Sequence, residues 1–349
     1  MFLIREAAAE DLDGLFDVAA YLDSVNLPHD RARLREIIAA SEASFAGQCD
    51  VADRRFVFVL TEAGNDRGND RVLGTSMIFA QHGSRRAPHV FFDVLDEERY
   101  SQTLDRHVTH RVLRIGYNYK GLTEIGGLVV HPDRRNDPGQ LGKLLFHVRF
   151  LYIALHRALF RDDVLSELMP PLQPDGTSLL WEALGRKFTG LSYQEADRLS
   201  HENKEFIRAL FPEEPIYATL LPAEVQTLIG EVGPQTKGVE KMLRRAGFHY
   251  AHRIDPFDGG PHFQARLDEV LPVRATRRAR VADGPVAAPT ARFLIAPDDG
   301  ELPVPRSFRA VALTASVEDG LVALPPAARA ALGVEPGGPV AVLPIDAPV

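Results

Sequence analysis

The chain has 349 residues, of which 45% are hydrophobic and 25% are charged, a balance typical of a globular protein with one large domain or two smaller ones. Its formal net charge of −8 argues against general nucleic-acid binding, because neutralising phosphates requires a basic surface. The apolar runs are short or amphipathic and the start lacks a basic leader, so we expect neither a membrane span nor a signal peptide.

The single cysteine, Cys49, excludes an internal disulfide and fits a reducing compartment, which predicts a cytoplasmic protein. Nothing near it in sequence would activate the thiol as a nucleophile.

In the first part of the chain, short runs rich in β-branched and aromatic residues predict strands at FLIRE (2–6), RFVFVL (55–60), RVLGTSMIFA (71–80), HVFFDVL (89–95) and TEIGGLVVHP (123–132). Apolar residues at helical spacing predict helices from Asp11 to Tyr21 and from Arg31 to Ala43. AGNDRGND (63–70) is a typical hairpin turn, and HRVLRIGYNY (110–119) fits a strand or a helix.

The next helix is predicted to start at Asp137-Pro138, with the carboxylate as N-cap and proline in the first turn. Further helices are predicted between Ser178 and Leu210 and from Lys237 to Ala246, the latter ended by Gly247. FHYAHRID (248–255) and HFQARLDEV (262–270) follow as strands.

Residues 274–291 are basic and then rich in proline, alanine and glycine, which predicts a linker. Residues 292–349 carry short β-like runs around one short helix. The sequence therefore predicts a main domain (1–273), a linker (274–291) and a small β-rich C-terminal module (292–349).

The stretch GGLVVHPDRRNDPGQLGKLLFHVRF (126–150) passes from a strand through a basic loop into a helix. A helix N-terminus suits an anion, because its first N–H groups lack intrahelical partners. Arg134, Arg135 and Lys143 add positive charge, whereas an N-cap carboxylate at Asp137 would occupy the place of a phosphate. From these residues alone, an ordinary capped helix after a strand is at least as well supported as a phosphate site.

The order of strand, basic loop and helix resembles the GNAT superfamily of acyl-CoA transferases. Within it, the chain is similar to the arginine N-succinyltransferase family. The stretches that carry this resemblance span nearly the whole chain: ASEASFAG, RIGYNYKGLTEIGGLVVHPDRR, GQLGKLLFHVRF, SLLWEALGRKF, YQEADRLS, NKEFIRALFPEEPIYATLLP, IGEVGPQT, LRRAGFHY, RIDPFDGGP and ALGVEPGGPVAVLP.

The resemblance implies an α+β, GNAT-like acyltransferase fold with a central mixed sheet flanked by helices. It also implies transfer of succinyl from succinyl-CoA to the α-amino group of L-arginine, the entry step of a catabolic pathway. By position, it assigns succinyl-CoA binding to strand and loop residues: Leu128, Val129, Val130, Arg134, Arg135, Gly139, Leu141, Gly142 and Lys143.

The sequence departs from the family pattern at three positions. The family's proton-donor histidine in IGEVGPQT is Gly233, which cannot transfer a proton, a family arginine is Met169, and a serine is Phe146. Direct acyl transfer still needs a way to stabilise the leaving thiolate. His249 and Tyr250, with His252 close by, are the candidate acids nearest in sequence, each with a plain strand residue as the alternative.

An arginine acceptor requires carboxylates for its guanidinium. Glu182, Asp255 and Asp258 are the candidates, although Asp258-Gly259-Gly260 also reads as a simple turn. His107-x-x-His110 and His249-x-x-His252 lack a recognisable third ligand, so no metal is predicted.

Three alternatives remain at this stage. The enzyme could acylate ornithine or a related amino acid in arginine biosynthesis, or the chain could be a catalytically weak CoA-binding subunit. The C-terminal module also faintly resembles swapped-hairpin DNA-binding modules, although the charge balance opposes DNA binding. We expect a homo-oligomer, or a hetero-oligomer with a homologous subunit.

Overall fold

The structure is a computed structural model that describes residues 1–21, 26–62, 71–85, 87–200, 203–284, 286, 288–300 and 307–346. The predicted hairpin turn at 63–70 lies outside these residues. Among the described residues, no helix combines the length and the apolar character that crossing a bilayer requires.

The strands, in chain order, are β1 (Phe2–Glu6), β2 (Arg55–Glu62), β3 (Gly74–Phe79), β4 (His89–Ser101), β5 (Arg106–Asn118), β6 (Thr123–Val130), β7 (Asp163–Glu167), β8 (Ile216–Tyr217), β9 (His249–Ile254), β10 (Pro261–Arg266), β11 (Arg277–Val281), β12 (Ala291–Pro297), β13 (Arg309–Ala315), β14 (Val317–Glu318), β15 (Leu321–Val322) and β16 (Pro339–Pro344).

The α-helices are α1 (Leu12–Ala19), α2 (Arg31–Phe45), α3 (Leu141–Leu155), α4 (Arg186–Thr189), α5 (Tyr193–Ser200), α6 (Glu205–Leu210), α7 (Ala223–Leu228), α8 (Lys237–Arg245), α9 (Leu271–Ala275) and α10 (Pro326–Leu332). A π-helical turn, Trp181–Gly185, leads into α4.

The chain divides into two compact units and crosses between them four times, once within β7. The first unit comprises Met1–Gln81, Thr123–Val164 and Arg266–Val349, and the second comprises His82–Leu122 and Leu165–Ala265.

The first unit contains a sheet in the order β14-β15-β11-β16-β12-β13-β1-β2-β3-β6. Its pairings are antiparallel except for β11 with β15, so the sheet is mixed. One face of its N-terminal half buries apolar residues of α1 and α2, including Leu15, Leu34 and Ile38, against Val57 and Val59 of β2. Burying such side chains stabilises the unit by about 1.5–3 kcal/mol each. This packing fixes β3 and β6, the strands that lead into the basic loop.

The second unit contains the order β10-β9-β4-β5-β8. The β4–β5 hairpin runs in register from Ser101↔Arg106 to His89↔Asn118, so the ambiguous segment 110–119 is a strand. The core of the unit gathers around Trp181, which is fully buried and stacks on Phe257 with ring centroids 5.0 Å apart. The Trp181 indole N–H donates to the Leu191 carbonyl at 3.0 Å, which satisfies its one polar atom.

The predicted α+β class is confirmed, and most predicted elements fall within two or three residues of their observed bounds. The segment predicted as a linker, 274–291, contains β11, which pairs with β16 from Arg277↔Val342 to Arg280↔Pro339. Its alternating basic side chains are exposed while Ala279 and Val281 are buried, the pattern of a strand with one solvated face. The division into 1–273, 274–291 and 292–349 stays a prediction.

Candidate active site

Strand β6 departs from regular pairing next to the residues of this strand that are predicted to bind succinyl-CoA. It pairs with β3 as Met77↔Gly126 and Thr75↔Val129, so Gly127 and Leu128 oppose the single residue Ser76. Gly127 has φ +56°, a conformation that glycine adopts without strain. Such a bulge takes a residue out of the ladder and re-aims its neighbours. Leu128 is half-buried and Val129 is buried.

The loop after β6 corrects the predicted helix start. Helix α3 begins at Leu141, and its N-cap is Gln140 in the left-handed conformation, with φ +49°. Asp137 instead accepts a hydrogen bond from the Gly139 N–H at 2.7 Å, which closes a turn inside the loop. The Asp137 carboxylate therefore does not cap α3 and does not occupy the place of an anion at the α3 N-terminus, although its charge remains in the loop.

The two loop glycines differ in what surrounds them. A Cβ at Gly139 would lie 2.6 Å from Phe2 Cε2 and 2.9 Å from Asp137 Oδ1, so this glycine is needed for packing. A Cβ at Gly142 would meet only Val130 Cγ2, at 3.8 Å. The first turn of α3 is thus open beside Gly142, where a ligand can approach the backbone.

The basic residues of the loop are not equally available. Arg134 forms ion pairs with Glu62 and with Asp137, the latter at 3.1 Å, and the Lys143 ammonium lies 2.6 Å from Asp346. Arg135 is exposed, and its Nε donates to the Val130 carbonyl at 3.3 Å. A phosphate would have to compete with carboxylates for Arg134 and Lys143, whereas Arg135 would have to release only its hydrogen bond to the Val130 carbonyl.

Arg292 is a positively charged residue beside this loop that the sequence did not indicate. Arg292 of β12 donates from Nη2 to the Gly139 carbonyl at 2.5 Å. Because Arg292 is more than 150 residues from Gly139 in sequence, no local pattern could have indicated this contact. All residues predicted to bind CoA belong to the first unit.

The residues predicted to bind the acceptor or to act as acids belong to the second unit. Asp255 and Asp258 lie in one tight turn after β9. Asp255 Oδ1 accepts from the Phe257 N–H at 2.7 Å, and Asp258 Oδ1 accepts from the Gly260 N–H at 2.7 Å. Each carboxyl group is half-buried and uses one oxygen for the turn, so the turn role and a binding role are compatible.

The electrostatics of this turn favour a cationic ligand. Burial, reinforced by the charge of Glu167, raises the pKa of Asp255 to about 7. Burial and the neighbouring Asp255 raise the pKa of Asp258 well above its usual range. Two acids whose ionisation is disfavoured in this way would be stabilised in their charged form by a bound guanidinium.

Glu182, the third predicted acceptor residue, is already engaged. It lies on the π-helical turn, and its Oε2 accepts from Arg186 Nη1 at 2.7 Å, one helical turn further on. This contact leaves Glu182 less suited to a substrate guanidinium than the turn at Asp255 and Asp258.

The two candidate acids, His249 and Tyr250, are consecutive on β9, so their side chains point to opposite faces of the strand. His249 is exposed. Tyr250 is half-buried, and burial raises the pKa of its phenol to about 12, so it is protonated at neutral pH. Its hydroxyl lies against Gly230, where a Cβ would be 2.6 Å away. At most one of the pair can face a common site.

The two departures from the family pattern in this unit lie against each other. The Gly233 N–H donates to the Met169 carbonyl at 2.8 Å. A Cβ at position 233 would lie 2.6 Å from the Pro170 carbonyl oxygen and 2.9 Å from that of Met169. Because both are backbone atoms, this backbone cannot accept a histidine at 233 without moving. The third departure, Phe146, is buried in α3 with its ring 5.1 Å from that of Phe150.

Comparisons with known proteins agree with the sequence resemblance. The model of the family described as "Arginine N-succinyltransferase beta subunit" matches residues 2–272, and that of its C-terminal domain matches residues 277–344. Arginine N-succinyltransferase subunit beta of Pseudomonas aeruginosa is 30% identical, with 99% of this chain and 98% of the relative covered. Arginine N-succinyltransferase of Yersinia enterocolitica is 29% identical, with 100% and 99% covered.

A solved structure extends the match to three dimensions. Its description is the structure of arginine/ornithine succinyltransferase subunit AI from Pseudomonas aeruginosa, and it aligns with a TM-score of 0.82 at 30% identity over 99% of both chains. The two family models and the relatives thus cover nearly the whole chain, and the chain belongs to the arginine N-succinyltransferase beta subunit family.

Proposed function

We propose that this protein is an arginine N-succinyltransferase, which transfers succinyl from succinyl-CoA to the α-amino group of L-arginine. Membership of the family over the whole chain carries this proposal. An acyltransferase of this kind needs an acyl-CoA site and an amino-acid site. Succinyl-CoA is then a co-substrate and the protein acts in arginine breakdown, with a cytoplasmic location that fits its single cysteine.

The first unit supplies the succinyl-CoA site in this proposal. Leu128, Val129 and Val130 contact the pantetheine arm through the bulged backbone of β6. The open first turn of α3, at Leu141, Gly142 and Lys143, receives the pyrophosphate, because its N–H groups and the helix dipole favour an anion. Exposed Arg135 adds a positive charge, and Arg134 with Gly139 shapes the loop.

The second unit supplies the acceptor site. Asp255 and Asp258 bind the guanidinium. This assignment is supported by the burial of both carboxyl groups, which disfavours their ionisation unless a cation is bound. Glu182 binds the guanidinium only if its ion pair with Arg186 is broken. An Asp255→Asn variant should therefore raise KM for arginine more than KM for succinyl-CoA.

The chemistry is a direct transfer. The neutral α-amino nitrogen attacks the thioester carbon, the carbon–sulfur bond breaks, and the amine proton leaves as the CoA thiolate is stabilised or protonated. With Gly233 unable to donate a proton, Tyr250 is the better supported hydrogen-bond donor, because its phenol stays protonated at neutral pH whereas His249 is an exposed strand residue. A Tyr250→Phe variant should lower kcat and leave KM for both substrates within about twofold.

The test measures CoA thiol release by the purified protein with succinyl-CoA and L-arginine. Parallel reactions replace arginine by ornithine or lysine, and succinyl-CoA by acetyl-CoA. We expect the highest kcat/KM with succinyl-CoA and arginine. No release with any pair would overturn the proposal.

A second candidate has support of its own. The Pseudomonas aeruginosa relatives are described as subunits, and Gly233 and Met169 replace two residues of the family pattern. The chain could thus be the weakly active, CoA-binding member of a pair with a homologous subunit. CoA binding with turnover far below about 1 per second, rescued by adding the homologous subunit, would favour this candidate.

A further inference from the structure

A cluster of three histidines and one glutamate lies inside the second unit. None of its members has been given a binding or catalytic role above, although the charge of Glu167 acts on the neighbouring Asp255. Its members come from four separate segments: His82 after β3, His89 at the start of β4, Glu167 at the end of β7 and His262 on β10. His89 and His262 are 2% and 0% exposed. Burial of this much titratable side chain requires an explanation, since such groups are favoured inside proteins only when paired or bound to a metal.

The three imidazoles converge on one carboxylate oxygen. Glu167 Oε1 lies 2.9 Å from His89 Nε2, 3.4 Å from His262 Nε2 and 3.9 Å from His82 Nε2. A tetrahedral ion with ligand distances of about 2.1 Å sets neighbouring ligand atoms about 3.4 Å apart. The observed distances bracket that value, and ligand atoms from His82, His89 and Glu167 all lie within 4.8 Å of one another.

His262 provides an independent indication. Its side chain is fully buried, yet neither ring nitrogen forms a hydrogen bond, and its Nε2 faces Glu167 without bonding to it. Buried polar atoms in folded proteins nearly always have a partner. Strand β9 bulges opposite this residue, between the pairs Pro261↔Ile254 and Phe263↔Tyr250. The local sheet is thus distorted where His262 enters the cluster.

The protonation states also suit a metal. Burial lowers the pKa of His89 and of His262 to about 4, so both imidazoles are neutral at neutral pH. Burial acts to raise the pKa of Glu167, but the three histidines hold it well below its usual range, so it is ionised. Neutral imidazole and ionised carboxylate are the forms that bind a divalent transition metal.

We propose that His82, His89, Glu167 and His262 form a binding site for one divalent transition-metal ion of the zinc type. Imidazole nitrogens and one carboxylate are the ligands that zinc accepts in four-coordinate sites. The ion joins segments that are up to 180 residues apart in sequence, so it stabilises the second unit. The proposal replaces the sequence-based expectation of no metal, which considered only histidines close together in the chain.

The experiment uses Co²⁺ as the probe, since tetrahedral Co²⁺ absorbs visibly, and Zn²⁺ as its competitor. Protein stripped with a chelator is titrated with Co²⁺ and its thermal unfolding is followed. We expect one ion per chain, visible bands of a tetrahedral site, a higher Tm, and displacement of Co²⁺ by one equivalent of Zn²⁺.

Variants locate the site. Glu167→Gln, which keeps the shape of the side chain, and His89→Ala should weaken Co²⁺ binding at least 100-fold, whereas His262→Gln should weaken it at least tenfold. His107→Ala removes an exposed histidine of the same unit and should bind as the wild type does. No stoichiometric binding by the wild-type protein would overturn the proposal. Binding that survives both Glu167→Gln and His89→Ala, with both variants folded by circular dichroism, would overturn it as well.

Discussion

The loop glycines give a matched pair of variants that separates binding from folding. Gly142 is open on the side where a Cβ would point, since the nearest atom would be Val130 Cγ2 at 3.8 Å. A Gly142→Ala change should therefore stabilise the fold by up to about 1 kcal/mol, because alanine is the better helix former. If the pyrophosphate lies against this backbone, the same methyl group should weaken CoA binding about tenfold, or 1.4 kcal/mol.

Gly139→Ala should behave in the opposite way. Its Cβ would lie 2.6 Å from Phe2 Cε2 and 2.9 Å from Asp137 Oδ1, so the chain must shift, at about 1–3 kcal/mol of stability. Calorimetric titration with CoA gives the affinities, and urea unfolding gives the stabilities. A Gly142→Ala variant that binds CoA as tightly as the wild type would refute the pyrophosphate assignment, and an equally stable Gly139→Ala variant would refute the packing argument.

Three further substitutions test other parts of the account. Gly233→His should lower stability by about 1–3 kcal/mol and leave turnover no higher, because its Cβ would overlap the carbonyl oxygens of Met169 and Pro170; a stable, faster variant would contradict this reasoning. Asp137→Asn keeps an acceptor for the Gly139 N–H but removes a negative charge, so CoA affinity should rise up to about threefold at low salt, and an unchanged affinity in titration would dismiss the charge effect. Folding raises the pKa of Asp255 from 3.8 to about 7, so the stability that the protonated acid contributes is complete below pH 4 and is lost as the pH rises through 7. Asp255→Asn, which cannot ionise, should therefore stabilise the protein by about 1–3 kcal/mol at pH 8. The gain in Tm should vanish near pH 4, and a gain of equal size at both pH values would show that ionisation is not its cause.

The elements of the fold could be predicted wherever one residue pattern decided the structure. Strand β2 contains a continuous apolar run (56–60), β6 ends in one (128–130), and α2 begins at Arg31 after an Asp30 N-cap that accepts from the Arg33 N–H at 2.9 Å. Segment 110–119 is ambiguous because its apolar residues Val112, Leu113 and Ile115 form a short run that fits a strand or a helix. The long partner strand β4 decides it, and that partner is not visible locally.

The start of α3 was mispredicted for a physical reason. Asp-Pro is a frequent helix start, but Gln140 takes the left-handed conformation and ends the loop turn three residues later. Asp137 uses its carboxylate within that turn. Asp137 does accept a backbone N–H, as its sequence preference predicts, but this hydrogen bond closes a loop turn and does not cap α3.

The candidate site could be predicted only in part from the sequence. Position within the family pattern assigned Leu128 and Gly142, but it did not indicate the bulge at Gly127, the contact of Arg292 with Gly139, or the ion pair of Lys143. These features depend on long-range packing. The His82 to His262 cluster escaped for the same reason, since its residues share no local spacing.

The most direct test of the central claim is the steady-state rate of CoA thiol release by the purified protein with succinyl-CoA and L-arginine, with the succinylated product identified by mass. The account predicts turnover on the order of 1 per second or faster, with a higher kcat/KM for arginine than for ornithine or lysine. No thiol release above the rate without arginine, at any protein concentration, would contradict it.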